Sequence, residues 1–370
     1  MKKKLASGTA YLIIAQFLAV LANYSINIGI GRILGSEIYG IFGVLMSLYL
    51  LNTSFLNTGI PRSVSKFIAE SKNGLKNIFV KSFRLQLYSL KKLKQDIKLG
   101  FPLALNYVVD TIVAIGDRYV IAFFLGATAV GYYNPAYIVG SLIILFAKVP
   151  GVVLPALMAK LVDKGEEDKA KKMINYSIKG YLLLAIPFVV GCIVFSRPIL
   201  SAYTNVDIAN KSYLIVPIIA LGSLFYGLNI ILSNVLFVKM QTVLMFRTNA
   251  LVAIINLVLN VVFLYYFKDI VVAAITTLVS YVVAFLYIMP KVNRQWAINF
   301  EMKVIIKSII ASLLMGAVML WYVLIFNESI NDISIILPGF LLGLAVYGVI
   351  IFVFSIFSKS ELRLLRSIFL

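Results

Sequence analysis

The stretch LGFPLALNYVVDTIVAIGDRYVIAFFLGATAVGYYNPAYIVGSLIILFAKVPGVVLPALMAK, Leu99 to Lys160, decides the fold. Two long apolar segments meet at Leu125-Gly126-Ala127-Thr128-Ala129-Val130-Gly131, and Asp110, Asp117, Arg118 and Lys148 sit among their aliphatic residues. Each segment is long enough to cross a bilayer, where an ionisable side chain costs ~2.5 to 3.5 kcal/mol on insertion scales. Such groups normally face a partner or a watery cavity, so the stretch reads as a polar pathway through a helical membrane protein.

Composition agrees: 61% of the 370 residues are hydrophobic and 13% are charged. A mean hydropathy of +0.97 is more than a soluble domain can hide given its surface. The single cysteine, Cys192, lies in an apolar run, and histidine is absent. Disulfides, cysteine or histidine metal sites and Ser-His-Asp chemistry are thereby excluded. No loop gathers carboxylates fit to hold a metal beside a sugar nucleotide, which disfavours a membrane glycosyltransferase. No enzyme activity, cofactor or metal is expected.

Met1-Lys2-Lys3-Lys4 precedes an apolar run, about Gly8 to Ile30, that is too long for a signal-peptide core and reads as a retained span. Further runs cover Ile38 to Gly59, Leu99 to Leu125, Tyr132 to Leu161, Ser177 to Phe195, Ser212 to Val238, Leu244 to Phe267, Ile270 to Met289, Val304 to Phe326 and Ile333 to Phe357, about ten spans in all. Pro150 and Pro155 predict a kinked or tilted helix, not a straight one, for the run ending at Leu161. The basic interval Ser63 to Lys98 reads either as an amphipathic helix on an anionic leaflet or as a solvated connector.

With a cytoplasmic N-terminus, 28 of the 34 Lys and Arg residues fall in inside loops. The net charge of +19 is then a topology signal, and anionic membrane lipids, not nucleic acid, are the surface partner it implies. Both termini are expected on the cytoplasmic side of the cell membrane.

Leu34-Gly35-Ser36-Glu37-Ile38-Tyr39-Gly40-Ile41-Phe42 and Leu125-Gly126-Ala127-Thr128-Ala129-Val130-Gly131-Tyr132-Tyr133 share one pattern: Leu-Gly, four residues, Gly, a bulky pair. Each links two spans on the outside, which suggests two parallel modules with a site between them. Only two spans accompany the first copy, so that module reads as a fragment.

These residues resemble the polysaccharide-biosynthesis flippases, the Wzx-type and stage-V-sporulation-type branch of the multidrug/oligosaccharidyl-lipid/polysaccharide exporter superfamily. The matching stretches are Gly31 to Gly35, Gly40-Ile41-Phe42, Gly100-Phe101-Pro102, Gly116-Asp117-Arg118, Gly131-Tyr132-Tyr133, Leu154 to Leu157, Asp168 to Lys172, Ala185-Ile186-Pro187 and Ala253 to Asn260. The resemblance implies a prokaryotic inner-membrane carrier of two six-helix lobes and two extra helices, flipping a lipid-linked oligosaccharide by alternating access. On that frame residues 1–62 are a two-helix remnant of the first lobe, 63–98 a basic linker, 99–291 a six-helix second lobe, and 292–370 two extra spans and a tail. The Gly-rich turn usual before the last helix of the second lobe is replaced by Phe267-Lys268-Asp269-Ile270.

Moving an anionic sugar head across hydrocarbon needs a hydrated cleft with positive charge, and Arg118 and Lys148 are the best-placed cations. Asp110 and Lys148 lie at comparable depths and could pair, either as a switch or as a structural ion pair. Asp117 and Arg118 point ~100° apart on one helix and need different partners. Snorkelling is the alternative for Arg118. Arg32 and Arg62 are candidates at the ends of the first-lobe helices, with membrane anchoring as the alternative. Asn106 and Asn134 could bond sugar hydroxyls or simply link helices. Two other functions stay open: a non-transporting homologue acting as an assembly partner or remnant, and a cation-coupled drug exporter using Asp110 and Asp117. A homo-oligomer and glycan-assembly enzymes are the remaining partners considered.

Overall fold

The computed structural model describes residues 32–33, 35–56, 90–326 and 333–354. Among them eleven helices follow one another: α1 Gly35–Leu56, α2 Leu90–Leu125, α3 Ala127–Ser141, α4 Ile144–Asp163, α5 Glu167–Tyr203, α6 Val206–Ser212, α7 Ile215–Val238, α8 Thr242–Phe267, α9 Ile270–Asn293, α10 Met302–Ile325 and α11 Ile333–Val353. The protein is an all-α, multi-pass membrane protein. Six helices, α5 and α7 to α11, are long and apolar enough by composition to span a bilayer.

The connections are short, so consecutive helices run up and down and the bundle has two ends. The loops at Gly126, Thr204–Asn205 and Lys268–Asp269 lie at one end, called upper here. Lys164–Glu166, Lys239–Gln241 and Arg294–Glu301 lie at the lower end. α7 is the central mast: 67% of its most apolar window is buried, against 22% for α8. It packs on α9, α5, α4 and α3. α10 and α11 pair with each other and lean on α5, while α1 packs on α3 and α2.

Apolar packing concentrates at the two ends. The upper core gathers Ile121, Val130, Tyr133, Val216, Ile219 and Leu264. The lower gathers Met158, Ile174, Ile178, Leu232, Ile288 and Trp296. Trp296 is fully buried, and its indole N–H donates to Glu167, which also receives Lys239 at 3.1 Å. Between the two cores lies a small cluster around Val113, Tyr226, Val252 and Tyr281, and two more clusters join α5 to α10 and α11. Charged and amide side chains occupy that middle level.

Two features differ from the sequence reading. The basic residues Lys91 to Lys98 are the first turns of α2 itself, a single helix of 36 residues, about 54 Å long at 1.5 Å per residue. Its lower end therefore extends past the hydrocarbon, and this part of the expected 63–98 linker is continuous with the span; the rest of that interval and the first run, Gly8 to Ile30, lie outside the described residues. The run Tyr132 to Leu161 is interrupted at Leu142–Ile143, where tightened bonds join Leu142 to Val139 and Leu145 to Leu142, and Pro150 and Pro155 lie inside the second of the two helices, α4. The tract Asp163 to Lys172 is a turn at Lys164–Glu166 followed by the opening of the 37-residue α5 at Glu167.

Where the glycine turn was missing, α8 still ends in a left-handed residue: Lys268 takes φ 51°. Asp269 follows as N-cap of α9, accepting from the Val271 amide at 2.9 Å. The cap on one side offsets the strained residue on the other.

Candidate functional site

Among the described helices, α2 and α8 form the most extensive pairing. On α2, Asn106, Asp110 and Asp117 are four and seven residues apart; on α8, Asn249, Asn256 and Asn260 are seven and four apart. Both spacings return to one face of a 3.6-residue helix. The two polar edges meet and form two clusters one above the other.

The upper cluster surrounds Asp117, which is 2% exposed. Its Oδ2 accepts from Tyr133 Oη of α3 at 2.7 Å and Thr277 Oγ1 of α9 at 2.9 Å, and its Oδ1 from Asn260 Nδ2 at 2.7 Å. Asn256 donates to Thr277 Oγ1 at 3.0 Å, and Thr276 Oγ1 to Asn260 Oδ1 at 2.5 Å. Four helices thus converge on one carboxylate through hydroxyls and amides alone. Among the described residues no three Asp, Glu, His or Cys side chains gather as a metal cage. The set around Asp117 is instead one carboxylate amid neutral oxygens, which suits a proton or a small hard cation better than a thiophilic metal.

The lower cluster surrounds Asp110. Its Oδ1 accepts from Tyr226 Oη of α7 at 2.9 Å and Asn249 Nδ2 at 2.7 Å, and Asn249 also reaches Asn106 Oδ1 at 3.1 Å. The Tyr226 ring stacks on Tyr281 with centroids 4.5 Å apart.

Arg118, the next residue after Asp117, turns to other helices. Its Nε donates to Asn134 Oδ1 of α3 at 2.8 Å, and its Nη1 lies 3.5 Å from Ser47 Oγ of α1. The guanidinium carbon is 5.4 Å from the Tyr137 ring centre. Among the described residues these partners are neutral, so the guanidinium charge is held but not cancelled.

Of the sequence candidates, Asn106, Asp110, Asp117, Arg118 and Asn134 come together along α2, α3 and α8. Lys148 does not join them. Its side chain is exposed on α4, and no ion pair to Asp110 forms, because α4 packs on α7 and α5 rather than on α2. Arg32 is exposed at the upper end, and Arg62 lies outside the described residues. Sequence reading gave no role to Ser47, Tyr133, Tyr226, Asn249, Asn256, Asn260, Thr276 or Thr277. The usable signal was the asparagine spacing of α8, the reverse of that on α2.

This polar seam inside a helical bundle can be set beside known proteins. The family model described as lipid II flippase MurJ matches residues 12–357. The chain belongs to this family. It is also similar to a probable low-salt glycan biosynthesis flippase, Agl15, of Haloferax volcanii: 26% identity over 234 residues, covering 63% of this chain and 49% of that protein. An uncharacterized membrane protein of Methanocaldococcus jannaschii, MJ1068, is 24% identical over 345 residues, covering 90% of this chain and 64% of the relative. The chain thus spans about half to two thirds of the length of these curated relatives. Among solved structures, a lipid II flippase MurJ in an inward closed conformation shares the fold, with TM-score 0.58 and 20% identity over 95% of this chain and 84% of that one. For a MurJ-family chain, the Wzx-like resemblance of the sequence falls within expectation.

Proposed function

We propose that this chain moves a lipid-linked oligosaccharide from the cytoplasmic to the outer leaflet by alternating access, as a transporter rather than an enzyme. The observation that carries the reading is Arg118: a cation inside the bundle whose described partners, Asn134 and Ser47, are neutral. Membership of a flippase family supports the transport reading.

A polyprenyl tail can stay in lipid while its anionic diphosphate and sugars cross. Arg118 offers a planar fork for phosphate oxygens, with Lys148 as a second, exposed cation. Asn106 and Asn134 would exchange their interhelical bonds for sugar hydroxyls. Asp117 is the coupling group: a buried carboxylate held by neutral donors gains stability when a proton or small cation reaches it. Arg32 and Arg62 would act as anchors to anionic headgroups. The termini are cytoplasmic on this reading, and the upper end faces outward. Residues 99–291 form the second lobe, with α1 as part of the first and α10 and α11 as the extra pair.

The test is flipping of a labelled lipid-linked oligosaccharide in proteoliposomes, with and without proton and sodium gradients. Gradient-accelerated flipping supports the proposal; a gradient-independent empty vesicle rate contradicts it.

A further inference from the structure

We infer that a reciprocal glycine contact between α1 and α3 is the outer closure of the transport cycle, and that it sets whether Arg118 is held by α1. The inference rests on the alternating-access reading above and specifies its closing element.

The two sequence copies meet in space. Gly35 and Gly126, Ser36 and Ala127, and Gly40 and Gly131 are each 91 residues apart. A Cβ built on Gly40 would fall 1.8 Å from the Ala127 carbonyl oxygen, and one built on Gly131 would fall 1.8 Å from the Ser36 carbonyl oxygen. Each copy presents the same glycine to the same position of the other, the pattern of a two-fold contact. The obstructing atoms are backbone, so no side-chain rotation could make room.

Such a contact closes tightly and opens easily. It involves backbone approach without interlocking side chains, and each contact of this kind is individually weak. Gly35, the first residue of α1, and Gly126, just before α3, take φ 74° and 84°, a region where glycine moves without steric cost. One turn further along, a Cβ built on Gly43 would lie 3.5 Å from Asn134 Nδ2, ordinary contact distance. Asn134 in turn holds Arg118, whose other reach is to Ser47 on α1. Parting the seam carries Ser47 away from Arg118 and leaves the guanidinium open on that side; closing it brings both back.

The test is a distance measurement. Spin labels are placed at Glu37→Cys and Thr128→Cys, the corresponding positions of the two copies, in a Cys192→Ala background in nanodiscs. The wild-type seam is expected to give a short and a longer distance. Gly40→Ala and Gly131→Ala should each reduce the short population at least tenfold, and Gly43→Ala should leave it in place. Arg118→Ala, which introduces no clash, should enrich the longer distance and keeps the test decisive should either glycine variant fail to fold. A single short distance unchanged by Arg118→Ala, or a shift with Gly43→Ala as large as with Gly40→Ala, overturns the inference. Flipping is assayed separately: normal distance shifts without flipping would count against the proposed substrate and leave the closure standing.

Discussion

Asn260 Nδ2 and Asp117 Oδ1 lie 2.7 Å apart across the α2–α8 interface, with Asp117 buried and Asn260 fully buried. Removing this donor leaves a carboxylate oxygen without its partner. Asn260→Ala should cost about 1 to 3 kcal/mol, read as a lowered unfolding midpoint in detergent. Asn260→Asp should behave differently. A second carboxylate beside the first destabilises the bundle at neutral pH and recovers as pH falls, because protonating one member relieves the repulsion. Equal midpoints at all pH values would contradict this description of the cluster.

Lys268 offers a prediction of opposite sign. It is exposed and left-handed at the end of α8, a conformation that costs a side-chain-bearing residue ~1 kcal/mol or more. Lys268→Gly should raise the unfolding free energy by about 0.5 to 1 kcal/mol, whereas Lys268→Val should lower it. Thermal unfolding in one detergent ranks the three chains.

At the upper surface, Lys211 of α6 donates to Tyr132 Oη of α3 at 2.8 Å, and Tyr132 donates to Asp207 at 2.9 Å. The bond to Tyr132 first, and Asp207 second, raise the Lys211 pKa above its ordinary value. A base whose folded pKa is raised contributes fully below its unfolded value, about 10.4, and loses that contribution as pH rises through the folded one. Hydrogen exchange of residues 206–212 should therefore be the same at pH 6 and 8 after correction for the intrinsic rate, and accelerate only above about pH 10. In Tyr132→Phe the acceleration should begin at lower pH. A change between pH 6 and 8 would contradict the assignment.

The lower end is knitted by Trp296, fully buried, with Glu167 and Lys239. Trp296→Ala should cost about 3 to 5 kcal/mol by emptying that core. Lys239→Ala, on a partly exposed pair, should cost under about 1 kcal/mol. Similar losses for both would mean that the ion pair, not ring burial, secures the end.

The membrane class, most spans and the Leu-Gly repeat were legible because hydropathy and glycine patterning are properties of single segments. Asp117 and Arg118 were also legible, since a charge in an aliphatic run is conspicuous and consecutive residues on a helix diverge. Their partners were not. Asn256, Asn260 and Thr277 are ordinary polar residues, and only the pairing of α8 and α9 with α2 makes them a ring around Asp117. Lys148 shows the converse: depth alone suggested Asp110, but which helix α4 leans on is decided by packing with α7 and α5. The interruption at Leu142–Ile143 carries no proline and left no mark in the sequence, whereas Pro150 and Pro155 sit inside α4.

The most direct measurement is the flipping rate of a labelled lipid-linked oligosaccharide by purified wild-type chain, Arg118→Ala, Lys148→Ala and the double variant, each checked for an intact unfolding transition. The account predicts that wild type flips, that Arg118→Ala slows flipping at least tenfold, and that the double variant falls to the empty-vesicle rate while remaining folded. A double variant as fast as wild type would contradict it.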